Sequence, residues 1–224
     1  MPTAPPVCDR EGMDWYLREQ RALVRTLRQV GPDAPTLCEG WRSRHLAAHL
    51  YLRLHRPWHM APGAAVVGYD ADEVTVRMGD RAAGPEEYLR LLEAFQAPPA
   101  RSNPVGWGGN RMHLLEYVVH HEDVRRAGGP YQPRQLPPPQ RRALWEQVRL
   151  MGRLTQARAP HGVVLVVPEG PRAVVKRRAH AVAVTGTEVE LALWLTGRTE
   201  HADVRLTATG APTQPPQQSS APAP

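Results

Sequence analysis

The stretch NRMHLLEYVVHHEDVRRA, residues 110–127, decides how this chain folds. Its apolar residues recur at helical spacing, and it ends at Gly128-Gly129-Pro130, a combination that stops helices. At about 100° per residue, one narrow stripe of this helix carries four ionisable residues among apolar neighbours: His113, Glu116, His120 and Asp123. Burying such groups costs several kcal/mol each without partners, so they must be paired, hydrogen-bonded or bound to a cation.

The spacing of Glu116 and His120 places a carboxylate and an imidazole one turn apart on the same helix face, which suits one metal ion. A third ligand is offered by His49, which borders the apolar stripe of an earlier helix. Two histidines and one carboxylate leave coordination positions open, as catalytic metal sites require. The same spacing also occurs by chance in exposed helix pairs, so spacing alone leaves both readings open.

Similar spacing predicts further helices on both sides of this stretch. They cover residues 9–30, 43–56, 85 to about 95, and from Pro137 to about 157, whereas residues 61–84 are expected to form a loop or crossover. After Pro160 the pattern changes to short β-branched runs at 162–167, 173–175, 180–185 and 204–207, with a helix over 187–195. We therefore expect a mainly α protein in which helices precede a small α/β domain.

This reading divides the chain near Arg158. A helical domain is expected over residues 9–158 and a small α/β domain over residues 159–210. Residues 1–8 and 211–224 are rich in Pro, and the second segment also in Gln and Ser, so both are predicted to be disordered tails.

Composition excludes several classes of protein. With 42% hydrophobic and 22% charged residues the chain is an ordinary globular one, and no apolar run is long enough to span a bilayer. Two cysteines and the lack of a secretory signal favour the cytoplasm. The net charge is +6, but the arginines are scattered along the chain, so we expect only weak, salt-sensitive nucleic-acid binding and no specific site.

Three motifs resemble, in this order, the mycothiol-dependent maleylpyruvate isomerase-like proteins of the DinB/YfiT superfamily. They are PTLCEGW (35–41) followed by the helix of His49, EYVVHHED (116–123), and LTGR (195–198). The resemblance extends over about residues 9–210. It is closest to an uncharacterised branch of the family, whose members carry similar CEGW and HHEDVRR stretches.

The resemblance implies an up-and-down four-helix bundle that holds one divalent metal ion, followed by a small C-terminal α/β domain. Matched residue by residue, His49, Glu116 and His120 take the three ligand positions. Zinc or nickel suits this ligand set best. The family's chemistry further implies a metal-dependent transferase or isomerase that uses a low-molecular-weight thiol as cosubstrate and acts on a small electrophile. The alternative is a non-catalytic module with a structural or sensing metal, closed by a fourth ligand such as His45 or His113.

Three further residues have open roles. Asp123, one turn past His120, could hold the free ring nitrogen of a ligand histidine or instead pair with a nearby arginine. His45 stands where relatives have an acidic residue, and it could support the site from the second coordination shell, act as a spare ligand, or lie exposed at the first turn, which we favour. Arg198 could clamp a substrate carboxylate, or be an ordinary arginine after a helix.

Overall fold

A computed structural model of the chain describes residues 14–60, 70–100, 103 and 110–209. Six helices come first: α1 (Trp15–Val30), α2 (Ser43–His55), α3 (Ala71–Arg81), α4 (Pro85–Gln96), α5 (Asn110–Ala127) and α6 (Pro138–Thr155). Strands β1 (Gly162–Val166), β2 (Arg172–Lys176) and β3 (Ala181–Thr185) follow, then helix α7 (Glu188–Leu195) and strand β4 (Arg205–Thr209). The mainly helical chain with a small sheet at its C-terminal end confirms the predicted fold class at that level.

Residues 61–84 were expected to form a loop or crossover, and this expectation is wrong in its second half, because α3 lies there. The Asp70 side chain caps the helix by accepting hydrogen bonds from the backbone N–H groups of Asp72 and Glu73. The buried residues of α3 are Thr75 and Gly79, so the face that this helix buries carries no large apolar side chain from which the sequence could have predicted it. The predicted tails and residues 9–13 and 61–69 lie outside the described residues.

The helical core is built from the inward faces of four helices. Helix α1 packs against α5 and α4, while α2 packs against α3 and α4. The core residues are Leu23, Val24 and Leu27 of α1, Leu46, Ala47, Leu50 and Leu54 of α2, Tyr88, Leu92 and Phe95 of α4, and Tyr117 and Val124 of α5. Full burial of one such large side chain contributes about 1.5–3 kcal/mol, so these faces fix α2 and α5 independently of any ligand.

The C-terminal strands form one sheet with the order β2-β1-β3-β4. Strand β1 pairs antiparallel with β2 and parallel with β3, and β3 pairs antiparallel with β4. Gly162 begins the parallel pairing opposite Ala181, where a Cβ would come within 2.8 Å of the Ala181 side chain. Only glycine allows the two strands to approach this closely there.

The chain divides into two compact units between Gln147 and Val148, within α6 and earlier than the join predicted near Arg158. The end of α6 belongs with the sheet, because at Gly152 a Cβ would lie 3.0 Å from Val175 and 3.1 Å from Leu165. Among the described residues, no helix is both long and apolar enough to cross a membrane.

Candidate metal centre

Helices α2 and α5 carry the three predicted ligands. His49 lies in the middle of α2. Its neighbours Leu46 and Leu50 are buried in the core, so His49 borders the buried side of the helix. Glu116 and His120 lie one turn apart on α5, whose neighbouring residues Tyr117 and Val119 are buried. Packing of the apolar faces therefore brings the polar side chains of the two helices together.

One ligand atom from each of His49, Glu116 and His120 lies within 4.8 Å of the other two. The His49 Nε2 atom is 3.8 Å from Glu116 Oε1, and the His49 and His120 rings meet edge to face with centroids 5.1 Å apart. Two ligand atoms bound tetrahedrally about 2.1 Å from one ion lie about 3.4 Å apart, so the group needs only a small contraction to hold one. Two imidazoles and a carboxylate also suit zinc or nickel chemically.

Asp123 supports the imidazole of His120. Its side chain is fully buried, and its Oδ2 atom lies 2.8 Å from His120 Nδ1. A hydrogen bond at Nδ1 fixes the ring orientation and leaves Nε2 for an ion. The stripe on α5 thus supplies two ligand candidates and a carboxylate that orients one of them.

Arg53 contacts the site, although sequence analysis did not identify it. Its Nε atom lies 2.6 Å from Glu116 Oε1, the same oxygen that faces His49. Arg53 follows His49 by four residues on α2, so helical spacing puts both on one face, and that spacing is the signal that could have found it. The guanidinium therefore places a positive charge next to the Glu116 carboxylate. A metal ion bound by this carboxylate would place its own positive charge there too.

The loop before α2 forms a further part of the site's surroundings. The Trp41 ring lies 5.1 Å from the His49 ring, centroid to centroid, and limits the movement of that imidazole. The Cys38 Sγ atom donates to Asp123 Oδ2 over 3.3 Å. Sequence analysis gave neither contact, because the loop carries no periodic pattern that would aim these side chains.

The expectation that His45 lies exposed at the first turn of α2 is wrong, since this residue is only 6% exposed. Its Nδ1 atom accepts a hydrogen bond from the Arg42 backbone N–H, which caps the helix, and its Nε2 atom lies 3.0 Å from Asp80 Oδ1 of α3. Both ring nitrogens are therefore engaged away from Glu116 and His120. His45 links α2 to α3, and the second-shell role considered for it finds no support in these contacts.

His113 and His121, the other histidines near the site on α5, have different surroundings. The His113 ring is buried and stacks on Tyr117 with centroids 5.6 Å apart, and it is not a member of the ligand group found among the described residues. His121 faces α1, where its Nδ1 atom lies 2.7 Å from Glu19 Oε1. Burial lowers the pKa of His121, although its hydrogen bond to Glu19 opposes this effect.

Arg198 follows α7 in the C-terminal unit. Its guanidinium donates to the Thr196 carbonyl over 2.7 Å, and its backbone N–H donates to the Leu193 carbonyl. These contacts are typical of an arginine that completes the C-terminal end of a helix. The carboxylate-clamp role stays a prediction.

The sequence matches no protein-family model and no curated protein sequence. Solved structures do match. A crystal structure of the mycothiol-dependent maleylpyruvate isomerase is 18% identical, covers 92% of this chain and 96% of its own, and gives a TM-score of 0.51. A crystal structure of a histidine-to-alanine mutant of that isomerase gives 0.52 with the same identity and coverage. This chain therefore has a fold similar to that of the isomerase.

Proposed function

We propose that this protein is a metal-dependent transferase or isomerase that uses a low-molecular-weight thiol and acts on a small electrophilic substrate. The observation that carries the proposal is the grouping of His49, Glu116 and His120 from two helices within 4.8 Å. The fold shared with a mycothiol-dependent isomerase supports the choice of a thiol over water as the attacking group. We further propose an up-and-down bundle of the DinB/YfiT type, a cytoplasmic location, and zinc or nickel as the ion.

A divalent ion with an open coordination position lowers the pKa of a bound thiol and so makes thiolate available at neutral pH. The chain's own residues bind the ion and orient its ligands. His49 on α2 with Glu116 and His120 on α5 would hold the ion, and the Asp123 carboxylate at His120 Nδ1 would keep the Nε2 atom of that ring available for it. The side chains of His49, Glu116 and His120 are 12–15% exposed, which leaves the centre partly open to a small molecule.

The rival reading is a structural ion closed by a fourth protein ligand. His45 was one candidate for that ligand, and its two ring nitrogens bond to Arg42 and Asp80 instead. Within the described ranges, the group around Glu116 contains three ligands, which favours an open site over a closed one. Proof of an exchangeable position is therefore the decisive measurement.

The first experiment measures bound metal. After loading with zinc and removal of the excess, we expect about one ion per chain. His49→Ala and His120→Ala should lose it, whereas His180→Ala, which removes an exposed imidazole from the C-terminal unit, should retain it. A wild-type chain that retains no metal, or a His49→Ala variant that retains all of it, would refute the proposed ligand set.

The second experiment tests the open position. Cobalt-substituted protein carrying Cys38→Ser, so that the nearby protein thiol cannot contribute, is titrated with small thiols. We expect a new sulfur-to-cobalt charge-transfer band that His180→Ala preserves and His120→Ala abolishes. If no small thiol produces the band while cobalt remains bound, the enzyme proposal gives way to a non-catalytic metal module.

A further inference from the structure

We infer that Cys38, Asp123 and His120 form a second cation position, suited to a strongly thiophilic divalent ion such as cadmium. One ligand atom from each residue lies within 4.8 Å of the other two. The set combines sulfur, carboxylate oxygen and imidazole nitrogen. The first position, formed by His49, Glu116 and His120, offers two imidazoles and a carboxylate. Softer ions prefer the set that contains sulfur. This inference does not depend on the proposed thiol chemistry, because it needs neither His49 nor Glu116.

The loop that carries Cys38 is attached to α5 at the site itself. The Leu37 backbone N–H donates to the Asp123 carbonyl over 3.0 Å. Asp123 therefore provides the carboxylate and also holds the residue that precedes Cys38. Thr36 holds the loop closed, since its hydroxyl donates to the Trp41 carbonyl over 2.8 Å and accepts from the Cys38 N–H over 3.2 Å. The three ligands therefore come together in the folded protein, with little ordering left for the ion to impose.

Asp123 Oδ2 is the point where the two other ligands converge. It lies 2.8 Å from His120 Nδ1 and 3.3 Å from Cys38 Sγ, and its side chain is fully buried. An ion that enters here replaces these two hydrogen bonds with three bonds to itself. The Sγ proton leaves to solvent, and the His120 ring changes tautomer, losing its Nδ1 proton to solvent and taking one up at Nε2, so that the neutral imidazole presents Nδ1 to the ion.

The two positions share His120 and therefore exclude each other. Binding at the first position uses Nε2 and is supported by the Nδ1 hydrogen bond to Asp123, and an ion at the second position removes that support. The softness of the ion decides which position fills. A thiophilic ion moves toward Cys38 and away from His49, and the chain then holds one ion in either case.

The test uses cadmium and no added thiol, in a Cys8→Ser background where Cys38 is the remaining cysteine. We expect ultraviolet thiolate-to-cadmium absorption that saturates at about one ion per chain. Adding His49→Ala should leave the absorption in place, because that imidazole belongs to the first position alone. Adding Cys38→Ser should abolish it, and far-ultraviolet circular dichroism shows whether each variant remains folded.

Three results would overturn the inference. The first is the absence of thiolate absorption in the Cys8→Ser protein, and the second is its loss in the His49→Ala variant of that background while the variant remains folded. The third is a total of two ions per chain when cadmium is added to zinc-loaded protein, which would contradict the sharing of His120. Failure of the proposed function is separable, since it is read from His49-dependent zinc binding and from added thiol.

Discussion

Arg53 and a metal ion would compete for the same carboxylate. The Arg53 Nε atom lies 2.6 Å from Glu116 Oε1, while His49 Nε2 lies 3.8 Å from the same oxygen. The Arg53 side chain is 48% exposed, so water screens the pair and its contribution is small, about 0.2–1 kcal/mol for an ion pair of this kind. An entering ion has to overcome this interaction or move the guanidinium to the other carboxylate oxygen.

We therefore expect Arg53→Ala to tighten metal binding by up to about fivefold, the equivalent of about 1 kcal/mol. Arg56→Ala is the matched control, because it removes the same charge from the exposed C-terminal end of α2 without contact to Glu116. Zinc affinity measured by competition with a chromophoric chelator distinguishes the two variants. Weaker binding in Arg53→Ala would show that Arg53 positions the carboxylate instead of competing for it.

The helical spacing of Glu116 and His120, and the position of His49 beside the apolar stripe of its own helix, predicted these three residues as ligands. Sequence reasoning did not find Arg53, and it did not give the contacts of Cys38 or His45. Those contacts depend on how a loop, α3 and α5 pack against α2, and this packing leaves no trace in local spacing. The spacing on α5 predicted which of its residues share one helix face. Which side chains of α2 and of the preceding loop contact that face is seen only in the folded protein.

Helix α3 packs on α2 through a glycine. A Cβ at Gly79 would lie 2.9 Å from the His45 Cα atom and would also overlap the His45 ring. The close approach allows Asp80, the next residue, to reach His45 Nε2 at 3.0 Å. The small residue and the polar contact between buried His45 and exposed Asp80 together explain why this packing carries no hydrophobic signature in the sequence.

Gly79→Ala should lower the free energy of unfolding by about 1–3 kcal/mol, because a backbone atom cannot yield as a flexible side chain can. Gly128→Ala is the control, since a Cβ there meets nothing within 4 Å. Urea unfolding followed by circular dichroism gives both values. Equal stability of the two variants would mean that α3 moves away from α2 without cost.

Helices α1 and α5 are joined by a buried ionic network. Glu19 Oε1 lies 2.7 Å from His121 Nδ1 and 2.5 Å from Arg134 Nη1, and Gln140 donates to the other Glu19 oxygen over 3.0 Å. Burial alone would raise the pKa of Glu19, but the hydrogen bond from His121 and the charge of Arg134 outweigh it and lower this pKa to about 2. The carboxylate therefore stabilises the fold only while it is ionised.

This network predicts two steps of acid destabilisation. The pKa of His121 lies below its usual 6.5, so the unfolded chain takes up this proton first and stability begins to fall as the pH drops below 6.5. The depressed pKa of Glu19 adds a second loss between its usual 4.5 and about 2. The second loss amounts to up to about 3 kcal/mol.

Unfolding free energies measured from neutral to acid pH provide the check. Glu19→Gln should flatten the second step, and Glu39→Gln, which changes an exposed carboxylate, should leave it unchanged. An unaltered acid profile in Glu19→Gln would assign the loss to other carboxylates.

For the whole molecule, the sequence was sufficient to predict the order of helices followed by strands. It could not give the strand order β2-β1-β3-β4, because the parallel pair of β1 and β3 joins segments separated by an intervening strand. It also placed the division near Arg158, whereas α6 contributes its last turns to the C-terminal unit through Gly152. Both features are set by long-range packing, which apolar periodicity does not encode.

Removing the metal should leave the chain folded. The helical unit is stabilised by an apolar core in which Leu23, Leu46, Leu92 and Phe95 are fully buried. A structural ion behaves differently, because its binding free energy is folding free energy and the apoprotein unfolds. We expect chelated wild-type protein and His120→Ala to keep their helical circular dichroism and to melt cooperatively.

The melting temperature should fall by no more than roughly 10 °C, the shift expected when a ligand that binds only the native state is removed. His180→Ala with zinc bound should melt like the wild type, because its imidazole is exposed in the C-terminal unit. Loss of the helical signal at room temperature on chelation would make the ion a structural element of the helical unit. That result, together with the absence of a thiolate band in the cobalt-substituted protein, would favour a structural ion over the proposed enzyme.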